Sequence, residues 1–109
     1  MKNLLIKSGL LILALALVLP AFSVAADSGG DLFASKCAAC HGKDGSGNTA
    51  MGKSLKLKDL GSAEVQKASD KELNETISKG KPPKMPAYAG KLSDAQITDL
   101  VKFIRSLKK

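Results

Sequence analysis

The chain has no tryptophan, one tyrosine and three phenylalanines among its 109 residues, so few large side chains are available to fill an interior. It has a single histidine, His41, which excludes any centre that needs two histidines from one chain. With two cysteines it can form one disulfide at most, not the dense framework of small secreted scaffolds. Of its four prolines, three crowd into positions 82, 83 and 86. Acidic residues are outnumbered 17 to 10 by basic ones, which gives a formal charge of +7. The length allows one small domain and excludes a multidomain enzyme.

What is present begins with a leader. Lys2 and Lys7 make a basic start, positions 10–19 are unbroken apolar residues, and Val24-Ala25-Ala26 places small side chains after Pro20. This is the layout of a secretory signal peptide, with cleavage expected before Asp27. The apolar run is short against the roughly 20 residues of a spanning helix, which argues against a retained anchor. No cysteine follows the run, so a lipid anchor has no attachment point. The expected organisation is a leader over 1–26 and one domain over 27–109, exported to the periplasm. Losing Lys2 and Lys7 lowers the formal charge to +5 and leaves Phe33, Tyr88 and Phe103 as the aromatics. Domains near or below roughly 80 residues usually add a disulfide, a metal or another staple to a core of this size.

The rest reads as all-α, helices joined by loops. Spacing predicts a first helix over 28–40, capped by Ser28, with Phe33, Cys37 and Cys40 on one face. A glycine-rich turn segment follows over 42–48. Positions 55–67 carry only weak signals, with one or two helical turns around 64–67. Ser69-Asp70-Lys71-Glu72 is a capping-box sequence opening a helix that bears Leu73 and Ile77 and stops at Gly80. Ser93-Asp94-Ala95-Gln96 opens the last helix, with Leu92 placed to staple against Ile97. Ile97, Leu100, Val101, Ile104 and Leu107 then recur at helical spacing, with Phe103 on the flank. Between these helices, the three prolines of 81–88 forbid helix and predict a stiff, extended loop.

The chemistry is concentrated in Cys37-Ala38-Ala39-Cys40-His41. C-x-x-C-H is the attachment signal for c-type haem. Cysteines three apart on a helix are neighbours on one face, where each can add to one vinyl group. His41, four residues after Cys37, lies on the same side and can reach the iron. The competing readings are a disulfide, a dithiol redox pair and zinc. The first two leave His41 unused, and zinc lacks a fourth good ligand. A covalently held apolar disc also supplies the missing core.

The opposite iron ligand has four candidates: Met51, Met85, a lysine, or none. A lone methionine is usually core filler. Met85 is favoured, because it stands between Lys84 and Pro86 in a loop with no helical face, far along the chain from His41. Met51 is only ten residues after His41 and is read as packing under the haem edge.

The leader, the C-x-x-C-H on an N-terminal helix, the late Lys84-Met85-Pro86 and the closing amphipathic helix together resemble class I cytochromes c. More narrowly, the chain is similar to the small single-haem soluble bacterial ones, over residues 28–107. The resemblance implies a small all-α fold whose N- and C-terminal helices cross, here with Gly29 and Phe33 meeting Leu100 and Phe103. It also implies a carbonyl that orients the histidine through its Nδ1–H. In the family this often belongs to a residue beside a proline; no proline lies between His41 and Lys81, and Ala50 is the stand-in expected here.

With both axial positions filled, such a haem binds no substrate and changes only its electron count. The reading is therefore a soluble, monomeric periplasmic electron carrier rather than an enzyme. The alternative is a haem enzyme or gas sensor with a labile sixth ligand. Its partners would be membrane or periplasmic redox proteins, steered by Lys36, Lys43, Lys79, Lys81 and Lys84 around the haem-binding segments. The export signal argues against nucleic acid as the partner of so basic a chain.

Overall fold

A computed structural model describes residues 29–109 as helices and turns; the expected leader and the Ser28 cap lie outside the described residues. The helices are α1 (Gly29–Lys36), α2 (Ala38–His41), α3 (Ala50–Leu55), α4 (Ala63–Gln66), α5 (Asp70–Lys79) and α6 (Asp94–Ser106). No strand occurs among the described residues, only two isolated bridges, Lys81 with Met85 and Ala89 with Leu92.

The amphipathic stripes form one core. Leu32 and Phe33 of α1, Leu73 and Ile77 of α5, and Ile97, Leu100, Val101 and Ile104 of α6 are its buried members. Burying each such side chain is worth roughly 1.5–3 kcal/mol. α6 contributes half of them because its apolar positions recur every three to four residues and so share one side. It is held at its start by Ser93: the hydroxyl accepts the Gln96 N–H, and the Gln96 side chain accepts the Ser93 N–H. Leu92 packs against the core beside this cap. α1 crosses α6 where Gly29 removes the side chain that would otherwise strike the Asp99 carbonyl. Beside the crossing, the rings of Phe33 and Phe103 sit 4.8 Å apart between centroids, tilted by 42°.

Three expectations need correction, and one element is new. The first helix is not continuous to Cys40. At Cys37 φ widens to −118°, and the Cys40 N–H turns to the Cys37 carbonyl, so α2 starts afresh at Ala38. Between the glycine turn and position 55, where the sequence predicts no element, Thr49 accepts the Gly52 N–H and caps α3, a helix too short to show apolar periodicity. Ser69 caps α5 by accepting the Glu72 N–H, but Glu72 does not return the bond, so the capping box is half made. Finally, the proline loop is folded back rather than extended. The Lys81 and Met85 N–H groups each donate to the other's carbonyl at 2.9 Å. Prolines 82 and 83 lack N–H groups, so the flanking residues carry the pairing that closes the turn.

The glycine segment 42–48 is without regular structure, as expected, yet it is well bonded. Gly42, Gly45 and Gly47 are buried with positive φ, and the Gly47 N–H donates to the His41 carbonyl. Around 64–67 the expected helical turns are α4, capped by Ser62. Gln66 then ties α4 to its surroundings: its Nε2 donates to the Leu60 and Ile104 carbonyls. Arg105 of α6 completes this clamp by donating to the Gln66 and Ala68 carbonyls and to Asp70.

Candidate functional site

Phe33 of α1, Cys37 at the break and His41 at the end of α2 border a cleft that α5, α6 and the proline loop complete. The cleft encloses about 460 Å³ of empty space, its open mouth included. Phe33, Leu73, Ile77, Leu100 and Ile104 form its apolar walls, and Cys37, His41 and Met85 reach it from opposite ends of the chain. Leu60 and Thr76 complete the lining. Three of the four expected site residues therefore share one cavity. Cys40 does not line it; it is a half-buried free thiol on α2, one residue from His41.

Each of these positions has a local cause. His41 ends α2, and its own carbonyl is capped by Gly47. The Cys40 carbonyl accepts the Thr49 hydroxyl at 2.6 Å. Gly52 allows α3 to close on the same carbonyl, because a Cβ there would lie 2.7 Å from it. Met85 is set by the pairing with Lys81 and by Gly80, where φ is +66° and a Cβ would meet the Met85 carbonyl. Only glycine adopts that conformation without strain.

Burial shapes the electrostatics. It holds the His41 imidazole below its usual pKa, so the ring is neutral near pH 7 and keeps a lone pair to offer. His41 Nδ1 is buried without a hydrogen-bond partner. The expectation that Ala50 orients it is not met: Ala50 is the exposed first residue of α3, facing solvent at the start of that short helix. Burial, with a smaller contribution from Cys40, pushes the Cys37 thiol up to about 11, so it stays S–H at neutral pH. Both cysteines are free, and the described residues hold no group of three or more His, Cys, Asp or Glu arranged for a metal ion. Neither the disulfide nor the zinc reading describes this arrangement.

Met51 lies on α3 rather than in a loop, and at 51% exposure it is the large apolar side chain left in solvent among the described residues. It is not among the residues that line the cleft. Lys36, Lys43, Lys79, Lys81 and Lys84 are all exposed, and none takes part in an ion pair among the described residues. Sequence reasoning missed Thr49 and Tyr88. Thr49 was detectable as a cap residue before Ala50. Tyr88 donates its hydroxyl to the Lys36 carbonyl at 3.1 Å, a contact across 52 residues that carries no local signal. No helix among the described residues is long and apolar enough to cross a membrane.

Comparison with known proteins places this arrangement among others. The family described as cytochrome C oxidase, cbb3-type, subunit III matches residues 24–104. A cytochrome c6 of Synechococcus sp. is 36% identical over 106 residues, 90% of each chain. The cbb3-type cytochrome c oxidase subunit FixPc of Rhizobium leguminosarum bv. viciae is 36% identical over 83 residues, 75% of this chain. The chain spans only 28% of the length of that subunit. Among solved structures, the KustC0563 c-type cytochrome superposes with a TM-score of 0.68 at 36% identity, over 75% of this chain and 99% of its own.

Proposed function

The chain belongs to the class I cytochrome c family, an all-α electron-transfer fold with covalent haem c as its cofactor, and from this we propose a soluble periplasmic one-electron carrier with His/Met ligation. In this reading the leader over 1–26 is removed, and Cys37 and Cys40 hold the haem through thioethers. His41 and Met85 would hold the iron. The observation that carries it is an apolar cleft that Cys37, His41 and Met85 all line.

The residues present fit such a group. The walls are hydrocarbon, the protein's own aromatics are few, and Cys37 and the neutral His41 ring line the space together with Met85. Haem c supplies an iron that takes up and returns one electron. The chain's residues determine how. His41, kept neutral by burial, offers its lone pair to a metal. Met85 offers a soft thioether, a ligand that favours the reduced state and so raises the potential. The apolar walls exclude water, which further disfavours the more highly charged oxidised state. With His41 and Met85 both holding the iron, the group would have no place left for a substrate, and the reading is that of a carrier rather than an enzyme.

The relatives of full length favour a small independent carrier: the chain and the Synechococcus cytochrome c6 cover nine-tenths of each other. Its partners are then redox proteins of the membrane or periplasm, approached as a monomer through Lys36, Lys43, Lys79, Lys81 and Lys84. The test is the spectrum of protein matured with the haem c machinery, in both oxidation states. A low-spin ferric form with a thioether-to-iron charge-transfer band, no carbon monoxide binding when reduced, and haem that resists acid-acetone extraction are expected. A high-spin ferric form that binds carbon monoxide readily would instead indicate a haem enzyme or gas sensor. Freely extracted haem would defeat the attachment at Cys37 and Cys40.

A further inference from the structure

We propose that Tyr88 is a positioning residue for Met85: its hydroxyl, donated to the Lys36 carbonyl, latches the Met85 loop to the end of α1, where the C-x-x-C-H motif begins. The proposal rests on Met85 being the distal ligand. It starts from the break at Cys37. In a continuous helix the Lys36 carbonyl would accept the Cys40 N–H, but that N–H goes to Cys37 instead. The carbonyl so released takes the Tyr88 hydroxyl at 3.1 Å.

The far side of the latch is rigid. The Tyr88 N–H donates to the Ile77 carbonyl and the Ala89 N–H to the Ser78 carbonyl, fixing this stretch on the end of α5. The Tyr88 carbonyl in turn accepts the N–H groups of Lys91 and Leu92. Met85 stands three residues before Tyr88, with Pro86 restricting the chain between them. Met85 and Tyr88 both pack on the same apolar core. Lifting Met85 from the cleft therefore strains the Tyr88–Lys36 bond, and a loop that keeps that bond keeps Met85 in place.

The experiment uses the haem-loaded protein and imidazole, which enters the ferric site only when the distal ligand leaves. Tyr88→Phe removes the hydroxyl and keeps the ring. It should retain the thioether-to-iron band at rest, yet bind imidazole about two- to tenfold faster and tighter, the range set by the loss of one ordinary hydrogen bond. Ile97→Val, a core truncation away from the cleft, should lower the denaturation midpoint without admitting imidazole. Met85→Ala should lack the band altogether. If Tyr88→Phe binds imidazole like the parent while Met85→Ala has lost the band, the latch is refuted and the ligation stands. If Ile97→Val admits imidazole as readily as Tyr88→Phe, general loosening explains the effect and the latch is again refuted. A band that survives in Met85→Ala would overturn the ligation itself.

Discussion

Gly29 of α1 meets the backbone of Asp99 in α6 so closely that a Cβ at position 29 would sit 2.1 Å from the Asp99 carbonyl oxygen. The obstacle is backbone, which cannot swing aside as a flexible side chain does, and Phe103 Cβ closes the space at 3.2 Å. Gly29→Val must push the helices apart, and overpacking of this kind costs about 1–3 kcal/mol. For a domain of this size each kcal/mol lowers Tm by roughly 4–8 °C. Ala34→Val, at an exposed position of the same helix, should cost only the small propensity difference. Gly45 is no neutral comparison: its φ is +72° and a Cβ would lie 2.6 Å from Leu107 Cδ1. Equal midpoints for Gly29→Val and Ala34→Val would place the crossing elsewhere.

The two methionines of the described residues differ in environment, and their variants should differ accordingly. Met85→Ala should abolish the thioether-to-iron band, lower the potential and open a site for carbon monoxide. Met51→Ala, which alters a side chain in solvent, should change none of these. Titration of the potential and a carbon monoxide difference spectrum decide between them. Reversed behaviour would transfer the distal ligand to α3.

Lysine docking makes a kinetic prediction. Lys81 and Lys84 flank the Met85 turn and are free of ion pairs among the described residues, whereas Lys108 lies beyond the end of α6. Exposed charges are screened over about 8–10 Å at physiological ionic strength, so electron transfer with an acidic partner should slow steadily as salt rises. Lys81→Glu and Lys84→Glu should lower the second-order rate at low salt more than Lys108→Glu. Stopped-flow traces that show three equal losses, or no salt dependence, would reject a basic docking face.

Arg105 offers a test of how α6 is held to the connection between α4 and α5. Its contact with Asp70 is an ion pair whose carboxylate is 76% exposed, and such pairs contribute little. Its bonds to the Gln66 and Ala68 carbonyls are partly buried and join α6 to the α4–α5 connection. Asp70→Asn should therefore change stability by well under 1 kcal/mol. Arg105→Met should cost about 1–3 kcal/mol, since it leaves acceptors unpaired. Denaturant titration of both variants checks the order; an Asp70→Asn loss as large as that of Arg105→Met would mean that the ion pair, not the carbonyl bonds, holds α6 to this connection.

Much of this protein is determined locally and was legible in the sequence. The stripe of Ile97, Leu100, Val101 and Ile104, the serine caps at 69 and 93, and the stop at Gly80 each depend on residues within a turn or two of one another. The C-x-x-C-H motif is legible for the same reason, because its chemistry needs a fixed local spacing. The crossing at Gly29 followed from the family resemblance, not from any local pattern. Only the tertiary structure decided the rest. The helix breaks at Cys37 and α3 forms beside it, because hydrogen bonds to the Cys37 and Cys40 carbonyls compete with a regular ladder. The proline segment turns back on itself because Lys81 and Met85 satisfy each other across residues that have no N–H to offer. His41 Nδ1 lacks the carbonyl that the family resemblance led us to expect from Ala50, since burial depends on what packs around the ring and not on its neighbours in sequence. The Tyr88–Lys36 bond joins groups 52 residues apart, and no local pattern encodes such a meeting: it exists only once α5 and α6 have brought the distal loop against the end of α1.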